Sequence, residues 1–121
     1  MYTADGKTNA PAFSWPDGKR IAVMVTFDYD AEFLRMSRAK SKGTSIGFTD
    51  FSRGQYGPHE GLARCLDMLD TMNIKSTFFV PGAVIETYRD TVEEIHRRGH
   101  ELACHGYQHE SSPGKNGRDP G

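Results

Sequence analysis

The chain has 121 residues, enough for one domain with a modest core, and its 36% hydrophobic and 26% charged residues are ordinary for a globular protein. A formal charge of −1, with no long block of like charge, excludes the electrostatic footprint of a nucleic-acid or membrane-surface binder and points to a neutral small molecule or glycan as partner. The longest apolar run, 21–27, is too short to span a bilayer, and the residues before it lack the apolar middle of a secretory signal, so a cytoplasmic location is expected.

Residues 1–18 are rich in Gly, Pro, Asn and Asp and read as an irregular lead-in. The run RIAVMVTF, 20–27, is β-branched and almost wholly apolar, which predicts a central strand covered on both faces, ending at Asp28. Residues 31–57 show neither helical nor strand periodicity and are expected to form a long loop of functional interest. Pro58 then opens a predicted helix to Met72, in which Leu62, Leu66, Leu69 and Met72 recur at spacings of four and three.

KSTFFV, 75–80, reads as a second strand stopped by Pro81-Gly82. A second helical region follows, with Asp90 and Glu93 in a capping-box spacing, Val92 and Ile95 on a buried edge, and Gly99 as its stop. ELAC, 101–104, is the third strand, and the polar, turn-forming stretch 111–121 is expected to be a loop or disordered. Cys65 and Cys104 lack any paired spacing and are read as reduced packing thiols. Strands alternating with helices predict an α/β fold of parallel βαβ units, which brings the strand ends carrying Asp28, Asp30 and His105 to one rim.

Asp28 and Asp30 follow a buried strand, where two carboxylates repel each other unless a cation or a proton intervenes. Alone, such a pair is compatible with simple turn formation. His105 and His109 stand four apart, so a helical turn there would put both imidazoles on one face. Together the four residues suggest a two-His, one-carboxylate metal site with positions left open for water and substrate.

TFDYD, STFFVPG and RGHELACHGYQH closely resemble the first two motifs and the intervening strand of the polysaccharide deacetylases, carbohydrate esterase family four with its NodB homology domain. The resemblance covers Lys19 to Glu110. It implies a distorted (β/α) barrel, of which this chain would supply about three parallel strands and two helices as the N-terminal half. It further implies Asp28 as general base and Asp30, His105 and His109 as ligands of a divalent metal, Zn²⁺ by preference. The implied reaction is hydrolysis of a non-peptide carbon–nitrogen bond, foremost deacetylation of an N-acetylated glycan. Glu32, Arg53 and Tyr107 are candidate substrate-binding residues, Tyr107 being equally compatible with a packing role. His59, His96 and His100 are expected at the surface or in local hydrogen bonds.

DYDAEF and SRGQYGP look like the branch that contains cyclic imide hydrolases, allantoinases and some peptidoglycan deacetylases, so a cyclic imide or ureide is the alternative substrate. Some members of that branch work without metal, but the three ligand residues are all present here. Barrels of this type need about 200 residues or more. The family's later motifs, with an Arg that orients the base and a His acting as general acid, do not occur in the sequence. A part of a longer polypeptide is therefore expected, with open sheet edges that could associate into a homo-oligomer. The competing reading is a non-catalytic metal- or glycan-binding module.

Overall fold

The structure is a computed structural model and describes residues 14–109. The expected tail from Ser111 and the first part of the lead-in lie outside the described residues; what is described of the lead-in is a 3-10 turn at Pro16–Gly18. The elements then run β1 (Thr26–Asp28), α1 (Phe33–Ser41), α2 (Phe48–Tyr56), α3 (Leu62–Thr71), β2 (Thr77–Val80), α4 (Gly82–Thr87), α5 (Arg89–Arg97) and β3 (Glu101–Cys104). The sheet is parallel in the order β1-β2-β3, pairing Asp28 with Phe79 and Val80 with Cys104. The expected mixed α/β fold with three parallel strands and intervening helices is present, with more helices than the two predicted.

Side chains of a strand alternate between faces, so Phe27, Phe78 and Val80 point one way while Asp28 and Phe79 point the other. On the first face Phe78 and Val80 are buried with Leu62, Leu66 and Leu69 of α3, Val84 of α4, and Val92 and Ile95 of α5. Phe27 stacks on Phe78 with ring centroids 5.0 Å apart. The leucine spacing of α3 and the Val92–Ile95 spacing of α5 supply the apolar stripes that cover this face. Arg98 ties the two helices at their ends, donating to Glu94 at 2.7 Å, Asp67 at 2.7 Å and Asp70 at 2.9 Å. The opposite face is mixed: Phe79 and Ala103 lie on it, but Thr77 donates there to Glu101 at 2.6 Å and Asp28 is exposed. No helix among the described residues is long and apolar enough to cross a membrane.

Several expectations are corrected. The strand predicted over 20–27 is ordered as a ladder only from Thr26, and Ile21, Val23 and Met24 are 74%, 79% and 87% exposed. β1 is an edge strand packed on one face, because a parallel ladder forms only as far as β2 extends beside it. The predicted loop 31–57 holds two helices, α1 and α2, joined by an Arg35–Asp50 ion pair at 3.2 Å. The helix predicted from Pro58 continues directly from α2 through a π-helical turn, Gly57–Gly61. Pro58 lacks the N–H that an α-helix would bond to the carbonyl four residues earlier, and the widened turn absorbs that loss. Cys65 and Cys104 are free thiols, but Cys104 is exposed on edge strand β3 and not packed.

Candidate metal centre

The first half of the site is built by Tyr29. Its side chain turns into the core, 6% exposed, and its backbone N–H donates to Phe79 O at 2.8 Å, extending the sheet by one bond. Thr91 spends its hydroxyl proton on Tyr88 O, so Tyr29 donates to Thr91 Oγ1 at 2.8 Å. Burial, above all, pushes the Tyr29 phenol up to about 12 and keeps it neutral. With Tyr29 anchored inward, its neighbours Asp28 and Asp30 are left facing away from the core. Ala31 then adopts a left-handed φ of 51°, and Phe33 N–H bonds to Asp30 O at 3.1 Å, turning the chain into α1.

The second half is the loop after β3. His105 N–H donates to Val80 O at 3.3 Å, carrying the sheet one residue past Cys104. The chain then leaves the strand through Gly106, φ 73°, and reaches His109, φ 59°. The helical turn that would have set both imidazoles on one face is therefore not formed. Instead α4 holds the loop: Gly82 and Ala83 donate their N–H groups to the carbonyls of Gly106 and Tyr107 at 3.0 and 2.9 Å. These are first-turn amides with no partner inside the helix, so the Pro81-Gly82 turn serves as a backbone clamp. Ser37 of α1 adds a bond from its hydroxyl to His109 O at 3.0 Å.

The two halves meet at Asp30. His105 Nε2 lies 3.5 Å from Asp30 Oδ1 and His109 Nε2 lies 3.8 Å from Asp30 Oδ2. The imidazoles are edge to face, 4.7 Å between centroids. One donor atom from each of the three residues falls within 4.8 Å of the others. Ligands about 2.1 Å from a tetrahedral Zn²⁺ sit roughly 3.4 Å apart, so the trio is near the span of one ion.

The donor chemistry fits a cation. Asp30 Oδ1 and His105 Nε2 are both buried without a hydrogen-bond partner, an arrangement that costs free energy unless something bridges them. Burial raises the Asp30 carboxyl above its ordinary range, with His109 and His105 opposing that rise, Asp28 adding to it and Arg38 opposing it. A divalent ion would answer all of these: it neutralises the carboxylate and occupies the lone pairs.

Asp28 is brought to the same place without joining the trio. It and Asp30 line a cavity of about 310 Å³, together with Arg53. Glu32 is elsewhere: it is 4% exposed, and both its carboxylate oxygens accept from Tyr88 OH at 2.9 Å. Tyr107 lies along α4, donating to Glu86 at 2.9 Å, and is 50% exposed. Of the other histidines, His59 is edge-on to Tyr88 at 6.1 Å and His96 is exposed on α5. Of the two alternatives expected for His100, surface exposure or a hydrogen bond, the second is found: it is 3% exposed and accepts the Ser76 N–H on Nδ1 at 3.2 Å. Sequence reading missed Ser37, Gly82, Tyr88 and Arg38. Only Gly82, inside the PG turn, left any signal.

A parallel α/β sheet thus gathers at its strand ends one carboxylate and two imidazoles, a candidate divalent-cation site, with a second carboxylate lining the cavity beside it. Comparison with known proteins shows the family. The polysaccharide deacetylase profile matches residues 16–119. The chain is 33% identical over 94 residues to a peptidoglycan deacetylase-like protein of Gibberella zeae, covering 76% of this chain and 27% of that one. It is 37% identical over 62 residues to a peptidoglycan deacetylase of Helicobacter pylori, covering 51% and 21%. A Mycobacterium smegmatis crystal structure designated a polysaccharide deacetylase superposes with a TM-score of 0.73 and 42% identity, over 86% of this chain and 36% of that one. The chain belongs to the polysaccharide deacetylase family. It spans about a quarter of the length of these curated relatives and about a third of the solved structure.

Proposed function

We propose that residues 19–110 form the N-terminal half of a deacetylase domain and supply its metal site and general base for removing acetyl groups from an N-acetylated glycan. The convergence of Asp30, His105 and His109, with two of their donor atoms buried and unpartnered, carries this reading. A divalent ion held there, Zn²⁺ being the preferred candidate, supplies Lewis acidity toward an amide carbonyl and lowers the pKa of water.

The chain's own groups do the rest. Asp28, exposed beside the trio and outside it, is the carboxylate free to accept a proton at its Oδ atoms. Tyr29 orients it by fixing the backbone between the two aspartates. The α4 amides and Ser37 hold the imidazoles in register with Asp30, work that partners behind the ligands commonly perform. Of the earlier substrate candidates, Arg53 stands at the cavity, whereas Glu32 and Tyr107 are engaged by Tyr88 and α4 and serve the scaffold.

A non-catalytic binding module would have use for the trio but none for a second carboxylate at its side. Relatives named for peptidoglycan deacetylation favour a glycan over a cyclic imide or ureide. The test separates ligand from base. Asp30→Asn and His105→Ala are expected to abolish Co²⁺ binding, followed by its visible absorption, while Asp28→Asn leaves affinity within a few fold. In a protein of the relatives' full length carrying this sequence, Asp28→Asn is expected to lower acetate release about 10²- to 10⁴-fold. Retained metal binding in Asp30→Asn, or normal turnover in Asp28→Asn, refutes the assignment.

A further inference from the structure

The sheet fixes the chain as far as Tyr29 and His105, whose N–H groups bond to β2, but Asp30 and His109 lie beyond it. A ring of contacts among the helices holds those two ligands. Glu32 stands at the start of α1, its carbonyl accepting the Met36 N–H at 3.0 Å, and further along the same helix Ser37 donates to His109 O. The loop carrying His109 is gripped in turn by the first amides of α4. α4 ends at Tyr88, where the chain breaks into α5 with φ −123° and ψ 45°. The Tyr88 hydroxyl then reaches back to both oxygens of Glu32 at 2.9 Å, which closes the ring. A second path runs from the Tyr88 carbonyl through Thr91 Oγ1 to the phenol of Tyr29, next to Asp30. Gln55 of α2 bonds the Tyr88 side chain as well.

Resting on the metal site of the deacetylase reading, we propose that Tyr88 and Glu32 are positioning residues of that site, their hydrogen bond setting how far Asp30 stands from His105 and His109. Neither side chain belongs to the trio or lines the cavity beside it. Stability alone gives little reason for the pair. Glu32 is 4% exposed, and among the described residues the Tyr88 hydroxyl is the donor for both its oxygens. Burying such a carboxyl group is costly, and two apolar side chains of the same shape would pack as well or better. What an apolar pair lacks is direction: a hydrogen bond fixes a distance and an angle, and partners behind a ligand act on a metal by fixing its orientation. Here one bond joins the helix that follows Asp30 to the helix that clamps the histidine loop, so both halves of the trio are set by it together.

The test loads the 121-residue chain with Co²⁺ and reads affinity together with the visible absorption band, whose position and intensity report the geometry of the ligands. Tyr88→Phe keeps the ring and removes the O–H. It is expected to weaken Co²⁺ binding about tenfold, the lower end of what losing a partner behind a ligand costs, and to shift the band. Glu32→Ala is expected to do the same, and the double variant no more than either, because one bond is lost in all three. Glu32→Gln, whose amide oxygen accepts the same proton, should keep the parent's band. Arg98→Gln is the control for stability: it breaks the bonds to Glu94, Asp67 and Asp70 at the far end of α5 and is expected to weaken the fold without moving the band. Should Tyr88→Phe fail to fold, Thr91→Val cuts the second path and is expected to shift the band in its place. A parent that binds no Co²⁺ overturns the metal site and this proposal together. With a parent that binds, three results overturn the positioning role alone: unchanged affinity and band in Tyr88→Phe, or in Thr91→Val if that variant replaces it; a band moved as far by Arg98→Gln; or a band moved as far by Glu32→Gln as by Glu32→Ala.

Discussion

Gly54 of α2 lies against the backbone of Glu32, so closely that a Cβ built on it would stand 2.4 Å from Glu32 Cα and 2.9 Å from Glu32 N. Neither atom is the free end of a side chain, so neither can swing aside. Gly54→Ala is expected to destabilise the chain by about 1–3 kcal/mol or more, as overpacking does, and to loosen α2 from the Asp28–Asp30 turn. Chemical denaturation measures the loss; a variant as stable as the parent would show that the contact is not tight.

The same Glu32 is held from the other side by Tyr88, whose hydroxyl is its hydrogen-bond donor. Tyr88→Phe leaves a buried carboxylate without that donor and is expected to cost about 1–3 kcal/mol. Adding Glu32→Gln should recover part of the loss, giving a coupling in a double-mutant cycle. Additive losses would argue that the two side chains act independently.

Gly82 meets the ring of Tyr107: a Cβ there would come within 2.7 Å of Tyr107 Cδ2. Because Gly82 and Ala83 also grip the loop between the two histidines, Gly82→Val is expected to weaken Co²⁺ binding about 10- to 100-fold, the usual effect of disturbing what positions a ligand. Tyr107→Ala removes the obstruction, and its combination with Gly82→Val should restore part of the affinity. Unchanged affinity in Gly82→Val would mean that the loop keeps its shape without the clamp.

His100 carries the pH dependence of the core. Burial lowers its pKa below the ordinary value of 6.5, with the charge of Lys75 adding to that effect. A histidine depressed in the fold binds its proton more readily when unfolded, so its contribution to stability is complete above about 6.5 and is lost as pH falls toward the folded value. Thermal unfolding is expected to show a lower Tm at pH 5.5 than at pH 7.5, with a smaller difference in His100→Gln. An equal difference in the variant would place the acid sensitivity elsewhere.

The 121-residue chain with metal bound is expected to release little acetate from N-acetylglucosamine oligomers. An amide collapses productively when its poor amine leaving group is protonated. Among the described residues no histidine besides the two candidate ligands stands at the trio: His100 is buried against Ser76, His59 faces Tyr88 and His96 is on the outer side of α5. Acetate release that disappears in Asp28→Asn would reveal a donor not recognised among these groups.

The periodicities of Leu62, Leu66 and Leu69 and of Val92 and Ile95 were enough to read α3 and α5, because a helix covering a sheet needs its apolar residues on one side. KSTFFV and ELAC read as strands for the corresponding reason. The aspartates and histidines were legible as residues at strand ends, since polar groups directly after apolar strands are conspicuous in any sequence. Where they point was a matter of tertiary structure. The 105–109 turn is non-helical because α4 amides and Ser37 capture its carbonyls, and those partners are 24 or more residues distant in sequence. α1 and α2 escaped notice because neither buries a residue fully, so no stripe marks them; contacts such as Arg35–Asp50 and Gly54 on Glu32 hold them. The apolar run before Thr26 misled in the opposite direction, since hydrophobicity records a preference for burial whereas burial itself requires a covering surface, and among the described residues Ile21, Val23 and Met24 are left largely uncovered.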